Sequence, residues 1–190
     1  MDFDWKVTTA PAEEPITTAE AKDWAHVSTA ANDTVIAQMI KAARQWAEKY
    51  RNEGFVTQTI TANCDSFANF MPLPMARVID VTSVKYYDTS GVQQTLSTDV
   101  YGVDTTTYPG QIYLKYNQSW PSVRAQHHTI EVIYRVGYGA ADDVPENIKS
   151  AIAMLVANLN INREATAAVQ LHEVPHGVKD LLGTDRIVPV

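Results

Sequence analysis

The sequence predicts an α+β fold: an N-terminal helix pair and a long C-terminal helix packed together, with an antiparallel β region inserted between them, in a single domain spanning residues 1–190. Three observations predict it. Ile36, Met39, Ile40, Ala43, Trp46, Ala47 and Tyr50 recur at the spacing of one helix face. Between Val56 and Tyr138 the runs are short, with turn signals about every ten residues, the habit of antiparallel sheets, sandwiches and small barrels. From Thr129 to Glu164 a period-two run passes through a glycine and acidic loop into an amphipathic helical run.

Taken in order, residues 1–15 carry Trp5, several acidic residues and two prolines, and read as a polar extended arm. The helix pair occupies 16–54. Thr17 and Glu20 have capping-box spacing, and Ile16 with Ala21 can form the hydrophobic staple. This first helix ends near His26, which reads as a surface or half-buried helix-end residue. Asn32 and Asp33 cap the second helix, Lys41, Arg44, Glu48, Lys49 and Arg51 mark its wet side, and Gly54 stops it.

The β region occupies 55–140. Gln58 to Cys64 alternates, and Cys64, the single cysteine, reads as a small core residue that rules out an intrachain disulfide. Residues 71–74 contain two prolines and read as an edge or linker, because proline cannot donate to a sheet ladder. Val81 to Asp88 and Val92 to Leu96 flank a turn and form a hairpin. Short strands follow at 100–103 and 112–114, separated by the Tyr108-Pro109-Gly110 turn. Trp120-Pro121 opens a further loop.

The last strand places Ile130, Val132, Tyr134, Val136 and Tyr138 on one face and Glu131, Ile133 and Arg135 on the other. Gly137 and Gly139 end it. Asp142, Asp143 and Pro145 suit a helix start, where acids face the positive end of the dipole and proline loses no bonded N–H. Ile148, Ala151, Ile152, Leu155, Val156 and Leu159 then repeat at helical spacing through 144–164. Residues 165–170 read as a loop or frayed helix end. Residues 175–182 have room for one or two helical turns, and the apolar segment 186–190 is suited to adding onto another subunit, the alternative being that it packs on its own sheet.

The composition, 45% hydrophobic and 19% charged, belongs to a chain with a real core. A net charge of −7 argues against tight nonspecific nucleic-acid binding, which needs Lys and Arg to neutralise phosphates. It suits DNA passing nearby without sticking. The N-terminus lacks a basic start followed by an apolar run, and no apolar run approaches the roughly 20 residues that span a bilayer. The expectation is a protein made and used in a cytoplasm, with no membrane partner.

Reactive chemistry finds little support. His172-Glu173-Val174-Pro175-His176 matches the H-E-x-x-H pattern of zinc hydrolases. That pattern needs a continuous helix to bring both imidazoles to one face, and Pro175 interrupts it. His127 and His128 are adjacent; in a strand they point to opposite faces and do not easily share a metal, and the plainer reading is a solvated loop before a strand. Gly137-Tyr138-Gly139 completes no phosphate loop, and Asp142-Asp143 is explained by capping. No catalytic residue, metal or cofactor is expected.

The order of these segments carries a resemblance. It rests on Pro15-Ile16-Thr17 with Glu20-Ala21-Lys22, the strand 82–87, Ser119-Trp120-Pro121, Gly137-Tyr138-Gly139, residues 142–146, Asn162-Arg163-Glu164 and residues 174–178. In this order and spacing, nearly the whole chain resembles the head–tail connector (adaptor, head-completion) proteins of long-tailed bacteriophages and gene transfer agents. The resemblance implies a structural ring, commonly of twelve copies, docked under the portal protein and receiving the next connector, stopper or tail terminator, with DNA passing through the lumen. It implies ring-wall helices over 33–51 and 145–163, with Lys41, Arg44, Lys49, Arg51, Lys149 and Arg163 on them. It also implies a portal-docking tail of Arg186, Ile187, Val188, Pro189 and Val190, and tail-facing loops such as 104–108. The place of action is the virion. The middle β region is longer than in the smallest, mainly helical connectors. Two readings compete: a monomeric glycan- or peptide-binding β module with Tyr113, Tyr116 and Trp120 as a platform, and the zinc hydrolase of His172, Glu173 and His176.

Overall fold

The computed structural model describes residues 3–161 and 176–183. They form two compact units, one of strands (residues 3–12 and 57–138) and one of helices (13–56, 139–161 and 176–183). The fold mixes helices with antiparallel sheets.

In the strand unit, β1 (Asp4–Thr9), β2 (Gln58–Cys64), β3 (Phe70–Pro72), β4 (Val78–Tyr87), β5 (Gln93–Thr95), β6 (Tyr101–Asp104), β7 (Gln111–Leu114) and β8 (Ile130–Val136) make two sheets. One has the order β1-β2-β8-β4-β5 and the other β3-β7-β6, with every pairing antiparallel. β8 is the middle strand of the larger sheet. Its alternate residues Ile130, Val132, Tyr134 and Val136 are wholly buried, while Glu131 and Ile133 are half-buried and Arg135 is exposed. Two-residue periodicity thus sends one face into the core with Ile60, Ala62, Met71, Leu73 and Ile112. Tyr138 does not join that face. The strand ends at Val136 because Gly137 turns to φ +132°, which a side chain rarely tolerates.

Burial pushes the Cys64 thiol up to about 12. Gly102 lies where a Cβ would overlap the Tyr113 ring, at 2.3 Å from its Cζ, so the pairing of β6 with β7 requires a glycine there. Of residues 71–74, read as an edge or linker, Met71 and Pro72 belong to the edge strand β3. Pro72 is the last residue of β3, a place where a missing donor costs little.

The N-terminal arm is the largest departure. It holds strand β1, paired with β2 from Asp4↔Asn63 to Thr9↔Thr59 across a bulge. All six of its residues are exposed, Trp5 and Val7 included. A strand wet on both faces shows no apolar alternation, so its sequence looks like a polar arm.

In the helical unit, α1 (Thr18–Ala25) starts at the predicted capping box. Thr17 Oγ1 accepts from the Glu20 N–H at 3.2 Å, and the Thr17 N–H donates to Glu20 Oε2 at 2.6 Å. That backbone donor holds the Glu20 carboxyl below the usual carboxylate range. His26 closes α1 in the left-handed conformation. A single 3₁₀ turn, Ala30–Asn32, leads into α2 (Asp33–Arg51). A second, Ala141–Asp143, precedes α3 (Glu146–Ile161), and α4 (His176–Gly183) follows. α3 packs against α1, α2 and α4. Its stripe of Ile148, Ala151, Ile152, Leu155 and Val156 is buried, whereas Leu159 is exposed near the helix end.

The wet side assigned to α2 needs correction. Lys41 and Lys49 are exposed, but Arg44, Glu48 and Arg51 are buried. Spacing explains it. Positions 36, 40, 44, 48 and 51 follow one another at three- and four-residue steps, so these charges continue the apolar face.

Candidate functional site

Three kinds of local chemistry stand out among the described residues: a buried charge network, exposed apolar side chains and a histidine–carboxylate cluster.

The network lies in the helical unit. Arg44 Nη1 donates to Glu48 Oε2 at 2.7 Å and its Nε to Glu14 Oε2 at 2.6 Å. The Arg44 guanidinium is raised; desolvation alone would lower it, and the bonds to Glu14 and Glu48 outweigh that. Arg51 Nε donates to Glu53 Oε1 at 2.5 Å, and Arg51 Nη1 to the Leu182 carbonyl of α4 at 2.8 Å. Glu48 Oε1 accepts from the Phe55 N–H at 3.1 Å. Arg51 is 2% exposed and Glu53 0%. These side chains lock the end of α2 onto α4 and onto the segment that leaves the helix.

The residues expected on the ring wall therefore divide. Lys41 and Lys49 face solvent. Lys149 pairs with Glu146 at 3.1 Å. Arg44 and Arg51 are internal. Arg163, the tail residues 186–190, and His172 and Glu173 lie outside the described residues; His176 opens α4.

Apolar side chains exposed in the helical unit include Trp24 on α1, Val35 on α2 and Ile161 on α3, the last 78% exposed. In the strand unit they include Phe70 and Tyr116, at 65% and 99%. The aromatic platform does not form. Trp120 stacks on Phe67 with ring centroids 4.5 Å apart and planes 1° apart, while Tyr116 projects into solvent. A cavity of about 350 Å³ in the helical unit is lined by Glu13, Glu14, Glu20, Asp142 and Lys149 together with Ile16 and Ile40. Carboxylates and one ammonium line it, with no thiol or imidazole among them.

His127 and His128 lie in the loop before β8, as the sequence reading has it, but they do not point apart: His128 has φ +54°. That left-handed turn brings both rings to the same side, stacked with centroids 3.7 Å apart. Asp65 accepts from the His128 N–H at 2.7 Å and contacts His127 Nδ1 at 3.1 Å. The backbone donor, then the imidazole, hold the Asp65 carboxyl below its usual range. The fourth member, Asp4, comes from β1. The pairing of β1 with β2 was absent from the sequence reading, so no sequence signal joined Asp4 to residue 127.

This geometry suits a structural protein that works by association, with its strongest charges spent on internal ties. The fold is similar to a chain in the neck of an empty gene transfer agent particle computed with C6 symmetry, with 20% identity, a TM-score of 0.82, and coverage of 98% of this chain and 97% of that one. It is similar also to a chain of the native gene transfer agent virion (20% identity, TM-score 0.78, 98% and 96% covered). A third similar chain is from the neck of the native particle computed with C12 symmetry (19% identity, TM-score 0.78, 98% and 97% covered). No curated protein matches the chain. The chain belongs to the head completion protein family, whose model matches residues 14–166. As a member of this family it is a structural head completion protein rather than an enzyme.

Proposed function

We propose that the chain closes into a ring of twelve copies beneath the portal protein, joins the DNA-filled head to the next connector or tail protein, and leaves a lumen through which DNA passes. The observation that carries this reading is the likeness of fold over 98% of the chain to a chain of a particle neck computed with C12 symmetry, in a family that completes heads. Head-to-tail contacts between identical subunits close when the rotation between neighbours divides a full turn. In this reading α2 and the long helix α3 form the wall. Lys41, Lys49 and Lys149 lie along it, and Arg44 and Arg51 stiffen it from inside. Trp24, Val35 and Ile161 supply apolar surface that a neighbour would cover. Residues 186–190 dock on the portal, adding avidity to a weak flat contact. Loop 104–108 faces the tail. The net charge of −7 keeps DNA mobile in the lumen, without sequence-specific binding.

Native mass spectrometry and negative-stain microscopy of the chain with purified portal protein test this. The expected result is a dodecameric ring stacked on the portal. A chain that stays monomeric and unbound with portal present at micromolar concentration would contradict it.

A further inference from the structure

We propose that Asp4, His127 and His128 form a divalent metal site, suited to zinc, that clips strand β1 to the segment leading into β8. The three residues offer one ligand atom each, all within 4.8 Å of one another. His128 Nε2 lies 2.8 Å from Asp4 Oδ2, and His127 Nε2 lies 3.9 Å from the same oxygen. A tetrahedral zinc with bonds of about 2.0 Å holds its ligand atoms roughly 3.3 Å apart. The two Asp4 spacings bracket that value and the third pair lies within 4.8 Å, so side-chain rotations at these three residues bring the atoms to the ion.

Asp65 orients both histidines. Asp65 sits on His127 Nδ1 at 3.1 Å and so favours the tautomer with the proton on Nδ1, leaving the Nε2 lone pair toward Asp4. The same carboxylate accepts the His128 backbone N–H at 2.7 Å, fixing the left-handed turn that aligns the two rings. Two imidazoles and a carboxylate with the fourth position open to water suit zinc and its first-row neighbours, whereas calcium and magnesium prefer all-oxygen shells. The site lies at the exposed start of edge strand β1, and its ligands are 124 residues apart along the chain for Asp4 and His128. An ion there would reinforce the single Asp4–His128 contact that joins edge strand β1 to the segment before β8.

The test is equilibrium dialysis of the full-length chain against zinc chloride, with metal counted per chain, together with hydrogen exchange of the β1 amides. One zinc per chain and slower exchange at residues 5–7 are expected. His127→Gln, His128→Asn and Asp4→Asn should each remove the bound ion; asparagine is chosen at 128 because it tolerates φ near +54°. Asp65→Asn should weaken binding about 10–100-fold, as loss of an orienting partner does. The chain has five histidines, so the double variant His172→Gln/His176→Gln is the control and should retain the ion. No bound zinc in the intact chain would overturn the proposal. So would zinc that survives His127→Gln/His128→Asn and disappears in the control variant. Unchanged circular dichroism in each variant separates loss of the site from loss of the fold.

Discussion

Replacing Arg51 by alanine should destabilise the helical unit by about 3–5 kcal/mol, the usual cost of stranding one partner of a buried ion pair. Arg51 ends α2, yet its guanidinium is 2% exposed. It binds the Glu53 carboxylate and the Leu182 carbonyl of α4. The alanine variant leaves a fully buried Glu53 without its guanidinium and removes the tie between α2 and α4. Replacing both partners with apolar residues, as in Arg51→Met/Glu53→Leu, should cost less than Arg51→Ala alone, because the desolvation of both charges disappears together. Lys41→Ala, at an exposed position on the same helix, should stay within about 0.5 kcal/mol. Urea unfolding followed by helical circular dichroism reads all three. An Arg51→Ala loss below about 1 kcal/mol would mean that the pair is not desolvated in solution.

The largest functional effect is expected from removing Arg186–Val190. If this segment docks the ring to the portal, its loss removes the tethered part of a two-part contact. Tethering multiplies affinity by about 10²–10⁴ without adding a new surface elsewhere. Particles assembled with the truncated chain should package DNA, then leak it or lack tails. Counting filled, empty and tailed particles by electron microscopy checks this. Normal numbers of tailed, infectious particles would remove the docking role from this segment and leave the ring itself untouched.

What could be read in the sequence was whatever had a face. The α2 stripe from Ile36 to Ala47, the α3 stripe and the alternation of β8 all separate a core side from a wet one, and periodicity reports that difference. The Thr17–Glu20 capping box was equally legible, because it depends on four neighbouring residues and on nothing distant. β1 was not, since both of its faces are exposed. Arg44, Glu48 and Arg51 were misplaced because charge was taken to mean solvent. Their three- and four-residue steps from Ile40 pointed to the buried face, and that spacing was the available signal. The loop before β8 was legible, but the shared side of His127 and His128 was not: opposite faces hold only for extended backbone, and His128 is left-handed. Asp4 joins them through a long-range strand pairing that no local pattern encodes. The family resemblance rested on the order of segments, and the family match over residues 14–166 agrees with it.

The central claim is that this molecule acts through surfaces shared with its own copies and with one capsid vertex. The most direct measurement is particle morphology and infectivity, or gene transfer, after deletion of its gene. The account predicts heads that fill with DNA yet carry no tails, restored when the intact chain is supplied. Tailed, fully active particles made in its absence would contradict it.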